Sequence, residues 1–193
     1  MDKLLTNINQ EMKKLNYQFI KPPILIGGGA MEYYDMRKTG HDYDFMISIE
    51  DFQQLKSMGK KLNTFGGKEI DEDGLSTDMD NTFSAVDVLE IDLAVTMFQF
   101  KYDFFDHNTE PLGPYKIVSR ENLLLMKALA ASNNYGWDAE FKQDMIKKQR
   151  RDVDLILKSI VEHQYKKGEW DNAISFNTPI TSINYSNGNA FKF

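Results

Sequence analysis

The 193-residue sequence predicts an α+β protein, with a short mixed β-sheet flanked by helices and a helical C-terminal part. Three observations carry that expectation. Apolar residues recur at helical spacing near the start, at Leu4, Leu5, Ile8, Met12 and Leu15. Short β-branched and aromatic runs then alternate with helical patterns as far as Val118. From Ser119 onward the helical period takes over.

Taken in order, residues 2–15 form an amphipathic helix. Pro22-Pro23 ends anything helical and launches a short apolar strand, Ile24-Leu25-Ile26. Gly27-Gly28-Gly29 follow, and residues 30–36 can form a helix. Residues 43–49 alternate as a strand does, and residues 50–62 form a helix closed by Gly66-Gly67. The acidic stretch 71–80 lacks the ordered oxygen ligands of a calcium loop and reads as a solvated turn. Residues 82–96, rich in Val, Ile and Leu, supply one or two strands. A turn-rich passage then ends at Pro111-Leu112-Gly113-Pro114, before a short strand at 115–118.

Ser119 is a plausible N-cap and Glu121 places negative charge in the first turn, so a helix runs from there to about Ala131. Asn133, Asn134 and Gly136 break it. A longer helix spans about 138–161, with Phe141, Met145, Val153, Ile156, Leu157 and Ile160 as its apolar stripe. Beyond Trp170 the chain is rich in Asn, Ser and Thr. The expected organisation is a core at 1–116, a helical part at 117–165 packed on it, and a polar tail at 166–193.

Composition bounds the function classes. An apolar fraction of 41% suffices for one good core, and 27% charged residues is ordinary for a globular chain. There is no cysteine, which excludes disulfides, thiolate metal sites and a cysteine nucleophile, and makes the cytoplasm the expected location. Residues 1–15 lack the apolar segment of a signal peptide, and no apolar run is long enough to span a bilayer, so no membrane role is expected. A net charge of −6 argues against broad duplex-DNA binding, because phosphate neutralisation by basic side chains supplies most of that affinity. A local basic run at Lys147, Lys148, Arg150 and Arg151 either grips an RNA or forms a solvated helix face. No P-loop motif, zinc-ligand spacing or serine elbow is present.

The residues that carry chemistry are acidic. Asp42 and Asp44, at i and i+2 on a strand, point to the same face with about 6.5–7 Å between their Cα atoms. Two ionised carboxylates that close repel unless a cation sits between them, and a hard divalent ion bound through oxygen resolves the repulsion. Two such ions about 3.5–4 Å apart clamp the attacking and leaving oxygens of an in-line phosphoryl substitution, which calls for a third carboxylate from a neighbouring strand. Asp92 has the correct parity, opposite Leu89, Ile91, Leu93 and Val95; Asp87 and Glu90 are the next candidates. Gly27-Gly28, between strand and helix, let backbone approach phosphate closely at a helix N-terminus. Lys127 has Leu123, Leu124, Ala130 and Ala131 as its helical neighbours. An ammonium amid apolar residues must meet an anion, either a triphosphate or an intramolecular carboxylate such as Asp152 or Asp154.

The order of an apolar residue, Gly27-Gly28, a thirteen-residue gap and Asp42-Tyr43-Asp44 resembles the DNA polymerase beta-like nucleotidyltransferase superfamily. More narrowly, Gly27-Gly28-Gly29-Ala30 with Arg37 and Thr39 before Asp42 looks like its small bacterial branch, which holds abortive-infection-type toxin and lincosamide nucleotidyltransferases. The segment 118–127, with Lys127, and Arg150-Arg151-Asp152-Val153-Asp154 are similar to that branch's lysine-bearing and basic-acidic helices. The resemblance implies a nucleotidyltransferase fold, with Asp42, Asp44 and Asp92 as catalytic and metal-binding residues. It also implies two Mg²⁺ ions, an NTP substrate, and Gly27, Gly28, Lys127 and Arg37 around the nucleotide. The expected reaction moves an NMP to a hydroxyl acceptor, with Asp92 as general base. An RNA end is the favoured acceptor, and toxin-like relatives imply an antitoxin protein partner. The alternatives are a small-molecule acceptor, such as an aminoglycoside or lincosamide antibiotic, or a catalytically silent nucleotide- or partner-binding module.

Overall fold

A computed structural model describes residues 2–40, 42–58, 62–64, 84–86, 91–97, 100–132 and 139–166. The acidic stretch 71–80, Gly66-Gly67, Asp87, Glu90, His41 and the tail from residue 167 lie outside the described residues.

Helix α1 (Asp2–Leu15) buries Leu4, Ile8, Met12 and Leu15 on one stripe. Strand β1 (Ile24–Leu25) leads into helix α2 (Gly27–Tyr33), then strand β2 (Tyr43–Met46) and helix α3 (Ile49–Ser57). Strands β3 (Leu62–Thr64) and β4 (Ser84–Val86) form an antiparallel pair. Strand β5 (Ile91–Ala94) is followed by the small antiparallel pair β6 (Thr96–Met97) and β7 (Phe100–Lys101), then helix α4 (Tyr102–Asp106). Strands β8 (Thr109–Leu112) and β9 (Tyr115–Val118) make a hairpin, and helices α5 (Arg120–Ser132) and α6 (Ala139–Lys166) pack on each other.

The main sheet has five strands in the order β5-β2-β1-β9-β8. It is mixed: β2–β5 and β1–β9 are parallel, whereas β1–β2 and β8–β9 are antiparallel. One core runs through sheet and helices, from Phe45, Leu93 and Ile117 to Leu123 and Met126 on α5 and Ile156 on α6. The expected α+β class, with a mixed sheet flanked by helices and a helical C-terminal part, is what the chain adopts.

Several elements differ from the sequence expectation. Helix α2 begins at Gly27 rather than Ala30, because the Ala30 amide already donates to the Ile26 carbonyl at 3.1 Å, closing a first turn made of glycine. The strand expected at 43–49 stops at Met46, since Ser48 caps α3 by accepting from the Asp51 amide at 3.1 Å. The turn-rich passage before Pro114 holds α4 and β8. Pro111 fits there because β8 is an edge strand, where a missing amide donor breaks no ladder. Gly113, at φ +60°, and Pro114 form the tight two-residue connection to β9. On α6 the stripe contracts: Ile156 is fully buried but its neighbour Leu157 is 45% exposed, because a helix turns about 100° between them.

Asp51 is the buried polar anchor of the α3 end of the molecule, with 0% exposure. Its carboxylate accepts from the Ile20 amide at 2.7 Å, the Lys21 amide at 3.3 Å, the Ser48 hydroxyl at 2.6 Å and the Tyr17 hydroxyl at 3.0 Å. The irregular segment between α1 and β1 is thereby tied to α3, and burial with the adjoining Asp51 charge pushes the Tyr17 hydroxyl up to about 12. Replacing Asp51 by Ala removes the acceptor of two backbone amides and two hydroxyls. Asp51→Ala is expected to cost about 2–4 kcal/mol of stability, read as a lowered urea midpoint.

Candidate active site

Strand β2 places Asp44 in the middle of the sheet, and strand β5 runs parallel beside it with Asp92 as the register partner of Asp44. Register partners on adjacent strands project from the same face, so the pleat brings the two carboxylates together. Asp42, just before β2 and of the same parity as Asp44, completes the group. One carboxylate oxygen from each of Asp42, Asp44 and Asp92 lies within 4.8 Å of the other two. Asp42 is exposed, and Asp44 and Asp92 are partly exposed, so the cluster is open to solvent on one side.

The glycine turn lies against this cluster. Gly27 adopts φ +57°, and a Cβ there would meet Asp44 Oδ2 at 2.1 Å. Both facts exclude a side chain at position 27. The Gly28 amide donates to the Asp44 carboxylate. A Cβ on Gly28 would meet Thr39 Oγ1 at 2.8 Å and stand 3.7 Å from Arg37 Nη1, so the loop after α2 folds back over the turn. Gly29 instead permits close helix–strand packing, since its missing Cβ would strike Leu25 Cδ1 at 2.7 Å.

Two cations border the acids. Arg37 forks onto Asp152 of α6, with Nε to Oδ1 at 2.7 Å and Nη2 to Oδ2 at 2.9 Å. Lys127 of α5 reaches the same carboxylate, Nζ to Oδ2 at 3.1 Å. The intramolecular partner of Lys127 is therefore Asp152; Asp154, the other sequence candidate, is exposed. Burial alone would push the Asp152 carboxyl up, but the Arg37 fork and Lys127 outweigh it and hold the group below its ordinary range. Burial lowers the Lys127 ammonium, opposed by the charges of Asp152 and then Asp44.

Asp42 and Asp92 group with Asp44, Gly27 and Gly28 lie against its carboxylate, and Arg37 and Lys127 are near enough for their charges to act on it. One participant was not legible. Glu32, on α2, accepts from the Thr39 amide at 3.0 Å and pairs with Lys38 at 3.0 Å, setting the path of the loop that carries Arg37. Its spacing from Thr39 follows no local rule that a sequence displays. The basic run at Lys147, Lys148, Arg150 and Arg151 is exposed along α6, and Asp152, next to it, turns inward.

Comparison with protein-family models and with curated proteins returns no match for this chain.

Burial and the neighbouring charges of Asp42 and Asp92 push the Asp44 carboxyl from an ordinary 3.8 up to about 7, against the smaller pull of Lys127 and the Gly28 amide. Between those two values the folded chain holds a proton that the unfolded chain has released. Stability without divalent metal must therefore fall as pH rises from about 4 to about 7, by no more than about 1.4 kcal/mol per pH unit. Urea melts in EDTA across that window should show the decline in the wild type and a nearly flat profile in Asp44→Asn. Gly27→Ala, which drives a methyl into the Asp44 carboxylate, should weaken Mn²⁺ binding by about tenfold or more in a calorimetric titration.

Proposed function

We propose that this chain is a magnesium-dependent nucleotidyltransferase on a nucleotidyltransferase-type fold, moving a nucleoside monophosphate from a nucleoside triphosphate to a hydroxyl acceptor. The observation that carries the reading is the in-register pairing of Asp44 with Asp92, which groups three carboxylates, Asp42 included, beside a glycine turn. The donor set fits the metal. Three carboxylate oxygens suit a hard divalent cation, and burial followed by the charges of Asp42 and Asp92 pushes the Asp44 carboxyl up, a cost that a bound cation would relieve. When bound, Mg²⁺ at Asp42, Asp44 and Asp92 would supply charge neutralisation for the triphosphate and its leaving pyrophosphate.

The protein's own groups have defined parts in this reaction. The bare backbone of Gly27 and Gly28 leaves room for phosphate oxygens, and Arg37 and Lys127 present positive charge toward the same place. The acceptor hydroxyl oxygen forms its bond to the α-phosphorus as the bond from that phosphorus to pyrophosphate breaks. Asp92 accepts the hydroxyl proton as general base. No covalent enzyme intermediate is required.

An RNA end is the favoured acceptor, as in a toxin-type enzyme held in check by an antitoxin protein, because Lys147, Lys148, Arg150 and Arg151 line the exposed side of α6. The net charge of −6 favours a second reading, a cationic antibiotic such as an aminoglycoside as acceptor. Incubation with each α-labelled NTP, Mg²⁺ and either total RNA or an antibiotic panel separates the two. Label should enter RNA. Asp44→Asn should reduce incorporation by about a thousandfold or more with an unchanged circular dichroism spectrum. Retained turnover in that variant refutes the metal assignment, and nucleotide binding without Mg²⁺ dependence or product identifies a silent binding module instead.

A further inference from the structure

Asp152 is the one carboxylate that both cations of the site share. It lies on α6 and is 1% exposed, yet its partners come from two other parts of the chain: Arg37 from the loop after α2, and Lys127 from α5. Two positive groups that repel each other are thus pinned to one anion. The triad carries a net single positive charge and adjoins three carboxylates.

Among the described residues, neither cation spends all of its hydrogens on Asp152. The Arg37 fork uses Nε and Nη2 on Asp152 and one Nη1 hydrogen on the Lys38 carbonyl at 2.9 Å. That same Nη1 stands 3.7 Å from the Cβ position of Gly28, at the turn itself. The ammonium of Lys127 has three hydrogens, of which the pairing with Asp152 at 3.1 Å engages one direction, and its charge acts on Asp44. A guanidinium or ammonium on a long free stem samples many rotamers. One anchored through a buried carboxylate meets a ligand already oriented.

We propose that Asp152 is a positioning residue for the nucleotide, a buried anchor that orients Arg37 and Lys127 as a paired receptor for the triphosphate. The inference rests on the nucleotidyltransferase reading and adds to it a residue that touches neither metal nor substrate. It also makes nucleotide affinity depend on the docking of α6, because Asp152 has no other route to the turn.

Equilibrium binding tests this without turnover. Calorimetry with Mg²⁺ and the α,β-methylene analogues of the four nucleoside triphosphates is compared between the wild type and Asp152→Asn, alongside Mn²⁺ titration without nucleotide. The expected result is a ten- to a hundredfold loss of analogue affinity, on the order of what supporting residues contribute to a site, with Mn²⁺ affinity changed less than about twofold. Analogue binding equal to wild type overturns the proposal and leaves the transferase reading standing. An equal loss of Mn²⁺ affinity also overturns it, since that reports damage to the whole site. Where Asp152→Asn does not fold, a double-mutant cycle of Arg37→Gln and Lys127→Met serves. A pair coupled through one anchor gives a double variant whose loss falls clearly short of the product of the two single losses, whereas losses that multiply fully overturn the proposal. Wild-type protein that neither binds an analogue nor transfers label removes the transferase reading and this inference together.

Discussion

Three carboxylates are forced together by the pairing of two parallel strands, and the rest of the structure is arranged around that repulsion. Because β2 and β5 run in the same direction, Asp44 and Asp92 are direct register partners. A slip of one residue would send Asp92 to the opposite face and dissolve the cluster. Asp42 joins through the period of the strand. The resulting charge density is unfavourable for an isolated fold, and together with burial, the larger cause, it pushes the Asp44 carboxyl up from its ordinary range.

The two buried carboxylates among the described residues, Asp51 and Asp152, are treated differently. Asp51 receives four hydrogen bonds from backbone and hydroxyl donors, and Asp152 receives an arginine fork and a lysine. Each is satisfied by donors the chain itself supplies, as buried acids normally are. The three site acids lie side by side, with Arg37 and Lys127 alongside and paired to Asp152. Holding one oxygen from each of three carboxylates within 4.8 Å of the others works against local stability.

How much of this a sequence displays depends on the range of the interaction. Asp42 and Asp44 are legible because a strand has period two, and Asp92 because parity separates it from Ile91 and Leu93. That the two strands would be neighbours, parallel and in register is a tertiary fact, and it is what turns three separate acids into one group. Gly27 looked like a phosphate-approach residue; its nearest neighbour is the Asp44 carboxylate, which no spacing rule reveals. Lys127 announced an anionic partner through its apolar neighbours, but the choice between Asp152 and Asp154 required the rotation of α6. Helix α4 and strand β8 were hidden by Pro111 and by the brevity of each element, where turn residues outweigh periodicity.

The link between sheet and helices is both apolar and ionic, and the two parts have different consequences. Leu123, Met126 and Ile156 join α5 and α6 to the common core, an attachment set by area and indifferent to direction. The Asp152 contacts are directional, since an arginine fork donates to a carboxylate best in one plane. Burial of an ion triad contributes little net stability compared with apolar packing of the same volume. Its value lies in orientation: it fixes where α6 stands relative to the glycine turn and therefore where two positive charges stand relative to three negative ones. The helical part is in that sense a component of the acidic site, because without its carboxylate the cations bordering the site would have no common anchor.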